Sequence, residues 1–345
     1  MMKLGMGARP WAGLDIGTHS VKLVALPTGS SRGRYAEAAI PRALAGDEPP
    51  APAIIAGLID DCMTRIEESP RSFRGMSIGV SGPDVIVKQI SLPLMDDAEI
   101  AGALRFEARK HLPFDLTTMV LDHQVLARLS SERRIDVLLA TVSQQRLERC
   151  LAPLRELGVE ADIVDAAPLA LANALAQSLP RDSSADEGHA LLDVGHRDTW
   201  LSLRLKGLPY FSRRLDWGGQ LLTQAIATVH GGSLERADAW KLDGGASLTN
   251  DGPESAAARD AVASLGEEVR RSLAYYGTLA PLPAALTMHV TGGTARLTGF
   301  AERIGEILGI PTRTFSPFDT NDRGVLIQAG GPQYAQAFGL ALRAS

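Results

Sequence analysis

GLDIGTHSVKL, residues 13–23, reads as an apolar strand running into an acidic-glycine turn and out along a second strand. The same grammar returns in LLDVGHRDTWLSL, residues 191–203, where Leu192-Asp193-Val194-Gly195 aligns with Leu14-Asp15-Ile16-Gly17. Val21, Leu23 and Ala25 alternate on one face after the first turn, as Leu201, Leu203 and Leu205 do after the second. Each copy ends in a turn (Pro27-Thr28-Gly29; Lys206-Gly207) and a third extended segment follows. A duplicated hairpin of this kind predicts two related half-domains facing each other. Two such turns can close on one polyphosphate from opposite sides, with backbone N–H groups on the oxygens and carboxylates on a metal's waters.

A third glycine-punctuated stretch, VTGGTARLTGF at 290–300, sits between an apolar strand, Thr287 to Val290, and the helical pattern Phe300-Ile304-Ile307-Leu308. Gly292, Gly293 and Thr294 bring nearly bare backbone to a strand end, where α/β sheets bind ligands. The stretch has neither the lysine-containing pattern of a phosphate loop nor the spacing of a dinucleotide fingerprint. An Asp-x-Gly alone is usually an ordinary turn, because glycine supplies the positive φ and aspartate caps it. Two matched copies and the late glycine pair shift the balance to a nucleotide site.

The chain has 345 residues, 45% of them hydrophobic, enough to bury two cores. Its net charge of −5 gives no basic field for nucleic acid, so no nucleic-acid partner is expected. Cys62 and Cys150 lack metal-ligand spacing and read as reduced thiols of a cytoplasmic protein, Cys150 as packing among Leu147, Leu151 and Leu154. No apolar run approaches the ~20 residues of a membrane span, and MMKLGMGARPW is no secretory signal. Membrane association is therefore expected only through a partner.

Residues 11–42 read as three strands, 53–67 as a helix and 76–80 as a short strand stopped by Ser81-Gly82-Pro83. A compact unit follows. Val85, Val87 and Ile90 mark a strand, and Asp96-x-x-Glu99 is a capping box opening a helix that Pro113 breaks. Strands at 119–128 and 135–142 and a helix through Leu147, Leu151 and Leu154 complete it. A strand at 161–164 and a helix at 167–179 come next, and the polar segment 180–188 reads as a linker. Helices are expected around 219–229, 234–241, 255–279 and 299–308, with a last apolar helix from Tyr334 to Leu342.

The order of these motifs resembles the actin-like ATPase fold, and within it the PilM family of type IV pilus assembly. Five separated segments carry that resemblance: GLDIGTHSVKL, RFEARKHLPFD (105–115), RRLDWGGQLLTQAI (213–226), EEVRRSLAYYG (267–277) and FGLALR (338–343). It implies an α/β chain of two duplicated domains around a nucleotide cleft. The first would comprise 11–83, 159–187 and 326–345, and the second 188–325. The block 84–158 would be the inserted subdomain shared with FtsA. ATP and Mg²⁺ are the implied cofactors, with slow turnover or none. The implied partner is the short cytoplasmic N-terminal tail of a PilN-type bitopic membrane protein, bound near 84–158 where Phe106, Leu112 and Phe114 lie among basic residues. Weak self-association is compatible with the resemblance. An actin-fold kinase would need a catalytic aspartate in a substrate pocket, and none is identifiable; an FtsA-like tether would end in a basic amphipathic helix, and the sequence closes instead on LALRAS.

On the residues themselves, Asp15 and Asp193 would face the phosphates from opposite walls and hold Mg²⁺ through water. Gly17, Thr18 and Ser20, with Gly195 and Thr199, offer N–H and hydroxyl donors. Lys22 reads either as a solvent-facing strand lysine or as a phosphate contact, and the resemblance favours the latter. Gly218-Gly219 opens a helix whose N-terminus suits anions. Asp238 and Lys241 read as an i,i+3 surface pair. The resemblance places them instead in the family's A-E-x-x-K helix against ribose and adenine, with Asp238 one methylene shorter than the family's glutamate. The catalytic residue is not legible: Asp198 is the best candidate to touch a water, and His19, His196 and His289 read as turn residues.

Overall fold

The computed structural model describes residues 9–27, 33–41, 49–111, 115–179, 187–205, 208–242, 246–279, 281–318 and 331–344. The expected break at Pro113, the anchors Leu112 and Phe114, the turns at 28–29 and 206–207 and most of the 180–188 linker lie outside them.

The chain opens with β1 (Pro10–Ile16), β2 (Ser20–Pro27) and β3 (Arg34–Ala39), then α1 (Pro52–Arg65) and β4 (Gly75–Val80). Next come β5 (Ile86–Pro93), α2 (Asp97–His111), β6 (Met119–Leu129), β7 (Arg134–Ser143) and α3 (Gln144–Glu156). Then follow β8 (Ile163–Ala166), α4 (Ala167–Ser178), β9 (Glu187–Val194), β10 (Thr199–Leu205) and β11 (Leu208–Leu215). The remainder is α5 (Gly219–Val229), α6 (Leu234–Leu242), α7 (Pro253–Leu279), β12 (Ala285–Thr291), α8 (Phe300–Leu308), β13 (Thr312–Thr314) and α9 (Ala335–Ala341).

The duplication read from the two turns extends to whole sheets. One sheet runs β3-β2-β1-β4-β8, and the other contains the same order as β11-β10-β9-β12-β13. Each begins with an antiparallel hairpin whose first strand pairs in parallel with a later one, Leu14 beside Ile78 and Leu192 beside Val290. Asp15 lies opposite Lys22 in the first hairpin, and Asp193 opposite Trp200 in the second. Hydrophobic residues fill both faces of these strands. Val21 and Leu23 enter a core with α1, while Val24 and Leu26 enter one shared with Leu191, Trp200 and Phe338. That shared core joins the two sheets, and Trp200 Nε1 also donates to Ser81 Oγ at 2.9 Å.

β5, β7 and β6 prolong the second sheet beyond β11, joined to it through Phe211 and Lys88. α2 covers them with Ile100, Leu104 and Ala108, and Glu99 accepts from the Asp96 N–H at 3.1 Å, one arm of the expected capping box. α3 turns the other way: Cys150, Leu151 and Leu154 pack with α1 in the first core. α9 packs on β1, β2, β4 and α4. Gly13 and Gly339 allow this, since a Cβ on Gly13 would stand 2.0 Å from the Ala337 carbonyl oxygen and one on Gly339 1.8 Å from that of Ala170.

Candidate functional site

The two acidic-glycine turns are closed by the same bond. Gly17 N–H donates to Ser20 O and Gly195 N–H to Asp198 O, both at 3.0 Å. A Cβ on either glycine would press on that same carbonyl, at 3.0 and 2.9 Å. Thr18 and His19 are exposed at the tip of the first turn, with one face of the His19 ring lying against His196. Ser20 is buried and donates its hydroxyl to Glu37 at 2.6 Å. Thr199 is buried too and donates to the Trp217 carbonyl at 2.7 Å. Both hydroxyls thus brace the hairpins, which differs from the expectation that they point at a ligand.

The paired carboxylates have different surroundings. Asp15 is held on both oxygens, Oδ2 by Lys22 at 3.3 Å and Oδ1 by the Gln336 amide from α9 at 2.9 Å. Lys22 is therefore no solvent-facing strand lysine. Burial works against its charge, but Asp15, Glu37 and Asp193 outweigh burial and raise its pKa. Asp193 accepts no hydrogen bond from the described residues. Burial, and then the neighbouring Asp15 carboxylate, push its pKa up to about 7. Gly292, at φ +91°, lets the glycine loop lie against it: a Cβ there would meet Asp193 Oδ1 at 2.7 Å and Val194 O at 2.5 Å. An open, half-buried carboxylate beside a second one fits a cation with its own waters better than it fits an unfilled protein site.

A stability test follows from the sign of that shift. Because Asp193 binds its proton more tightly in the fold than a free aspartate does at 3.8, the nucleotide-free protein loses stability as pH rises from about 4 through 7. Asp193→Asn removes this loss. Denaturant unfolding should find the variant more stable than wild type at pH 8, by up to about 4 kcal/mol for roughly three pKa units at ~1.4 kcal/mol each, and equal to it near pH 4. A variant less stable at pH 8 would show that Asp193 has a partner in the fold.

α5 is preceded by its N-cap, Gly218, over which the His196–Arg197 backbone passes so closely that a Cβ would lie 2.5 Å from it. Its first N–H groups are already used: Gly219 donates to Gly195 O at 2.9 Å and Gln220 to His196 O at 2.8 Å. The expected helix N-terminus is present, and its first N–H groups clamp the second turn. Asp238 and Lys241 likewise form no isolated surface pair. Lys241 donates to Gly219 O at 3.0 Å and to Thr223 Oγ1 at 2.9 Å, and Asp238 accepts from Thr223 at 3.1 Å. Thr294 Oγ1 reaches Gly195 O at 3.3 Å, tying the glycine loop to the same turn. Gly293 is exposed, and a Cβ there would meet nothing within 4 Å, so the surface beside it is open. The second turn, α5, α6 and the glycine loop therefore form one wall, facing the Asp15–Lys22 wall.

Type IV pilus assembly protein PilM is the family whose profile matches residues 13–345. The chain belongs to that family. Among solved structures, it matches the PilM-PilN type IV pilus biogenesis complex with TM-score 0.81 and 26% identity, covering 96% of this chain and 98% of that one. The ethanolamine utilization protein EutJ from Carboxydothermus hydrogenoformans matches at TM-score 0.57 and 17% identity over 96% and 88%. MreB 5 of Spiroplasma citri bound to AMPPNP matches at 0.51 and 13% over 96% and 94%. These two share the fold, which is actin-like.

Membership gives the chain its place in pilus assembly. No helix among the described residues is long and apolar enough to cross a membrane. The sequence reading missed Gln336, Glu37 and Thr223, three polar residues that hold the site together. None sits in a glycine turn, and Gln336 is brought to Asp15 only because α9 returns to β1. Asp198 is held by Arg214 at 3.6 Å, with its pKa raised by burial against that cation. His289 is buried in the second sheet, 3.2 Å from His189, and lies away from both turns.

Proposed function

We propose that this pilus assembly protein binds Mg²⁺–ATP between its two acidic-glycine turns and holds the cytoplasmic tail of a PilN-type membrane protein. The division at 84–158 and 188–325 given above is part of this reading. The match to the PilM-PilN complex over nearly the full length of both chains carries the partner assignment. For the nucleotide, the support is the open Asp193 carboxylate facing the held Asp15, with Gly292 and Gly293 alongside. Asp193 and Asp15 would hold the metal through water, as Mg²⁺ commonly requires only one or two carboxylates besides phosphate oxygens. The bound ion would supply the positive charge that lets a polyphosphate approach two acids. Lys22 and the N–H groups near Gly17 and Gly195 would orient the phosphates, and Asp238 and Lys241 the sugar and base. Phosphate release should be far slower than the ~1–100 s⁻¹ of kinases, since Asp198, the best-placed acid for a water, is engaged by Arg214.

For the tail, α2 offers Phe106, which is 65% exposed with Lys110 Nζ 5.3 Å from its ring centroid. An aromatic anchor flanked by cations suits a short peptide with an apolar side chain and acidic neighbours. Excising 84–158 would be a poor test, because α3 contributes Leu154 to the first core. Phe106→Ser should keep the fold, because the ring is largely exposed. A labelled PilN-type N-terminal peptide should bind the wild-type chain at micromolar strength or weaker, and the variant about tenfold more weakly, a change typical of an interface anchor. Equal anisotropy curves for the two proteins would place the tail elsewhere.

A further inference from the structure

The two turns touch through a contact that the duplication does not explain. His19 at the tip of the first turn faces His196 at the tip of the second, ring centroids 5.1 Å apart and planes tilted by 39°. With Asp15 equivalent to Asp193, the counterpart of His196 is Thr18 rather than His19, so the pair is not a by-product of the repeat. Charged groups surround it from every packed element: Lys22 on β2, Glu37 on β3, Asp238 and Lys241 on α6, and Arg197 in the second turn itself. Both lysines are already engaged, Lys22 by Asp15 and Lys241 by Gly219 and Thr223.

We propose that His19 and His196 are further phosphate-binding residues: their ring contact closes the space between the turns, and an entering polyphosphate parts them and takes both as N–H donors, with proton uptake. This rests on the nucleotide reading given above. Burial, then Lys22 and Lys241, lower the His19 pKa; burial, then His19 and Lys241, lower that of His196 to about 4. The rings therefore meet as neutral imidazoles near pH 7, each with one N–H donor and one acceptor. A neutral pair can touch where two imidazolium ions would repel. Negative phosphate oxygens between the turns reverse the balance, because an opposite charge within a few ångström favours the protonated ring, and a protonated ring has two donors. The proton comes from solvent, and no bond is made or broken in the ligand.

Calorimetry with Mg²⁺–ATP at pH 6.5, run in two buffers of different ionisation heat, measures the protons bound. Wild type minus the His19→Asn/His196→Asn double variant cancels the titration of the nucleotide and of Asp193. The expected difference is about two protons taken up per nucleotide bound, one for each ring, with affinity about tenfold weaker in the double variant. No difference in either quantity overturns the proposal and leaves the nucleotide reading standing. No binding by the wild type overturns both. If the double variant does not melt cooperatively, nitrogen-labelled histidine spectra of the wild type decide: both rings should reach imidazolium shifts on saturation, and rings that stay neutral contradict the proposal.

Discussion

Gly13→Val should yield no stably folded first sheet. The new side chain would begin 2.0 Å from the Ala337 carbonyl oxygen and 2.4 Å from the Ala341 nitrogen, both backbone atoms of α9 that cannot swing aside. Relief requires α9 to leave β1, exposing Ala337, Phe338, Leu340 and Ala341, all now buried. Losing that packing is a core-disrupting event, expected to cost at least about 4 kcal/mol. Gly79→Ala is the control at the same joint. Its Cβ would lie 2.6 Å from Gln336 Nε2, the movable end of a side chain. That variant should fold, displace Gln336 from Asp15 and lose about 1 kcal/mol, the worth of one hydrogen bond. Urea unfolding of the two variants separates backbone collision from side-chain adjustment; equal stabilities would contradict the packing of α9.

The second large effect concerns the acids. Asp193→Asn should fold well and lose Mg²⁺-dependent ATP affinity by on the order of 100-fold, about 3 kcal/mol, because Asp193 accepts no hydrogen bond from the described residues. Asp15→Asn should lose binding too, but with a folding penalty that Asp193→Asn lacks. Its removal strips Lys22 of the ion partner that faces it at 3.3 Å, leaving a largely buried ammonium uncompensated at a cost of about 3 kcal/mol. Asp193→Asn retaining wild-type calorimetric affinity would remove the metal from this position.

Much of this was legible before any coordinates. The duplication showed in the two Asp-x-Gly turns because strand alternation and glycine requirement are local properties, and Gly17 and Gly195 close their turns in the same way. Helix α7 and the amphipathic α8 follow their apolar spacing to within a residue or two of the reading. What escaped was non-local. The periodicity of residues 84–158 shows strands but not that β5 joins β11. The bracing roles of Ser20 and Thr199 are not legible in sequence, because a hydroxyl beside a glycine turn looks the same whether it points to a ligand or to Glu37 and Trp217. The α5 N-terminus carried a sound anion-binding signal, yet the carbonyls that already accept its N–H groups come from a turn more than twenty residues upstream, at Gly195 and His196.

The central claim is that two separate turns serve one ligand. Hydrogen exchange of the full chain, measured with and without saturating Mg²⁺–ATP, tests it directly. Amides of 15–22, 193–200 and 291–296 should all slow together, with the same nucleotide midpoint, and all three should return to their free rates when the metal is chelated. Protection confined to one turn, or different midpoints for the two, would show that the turns do not close on a common nucleotide.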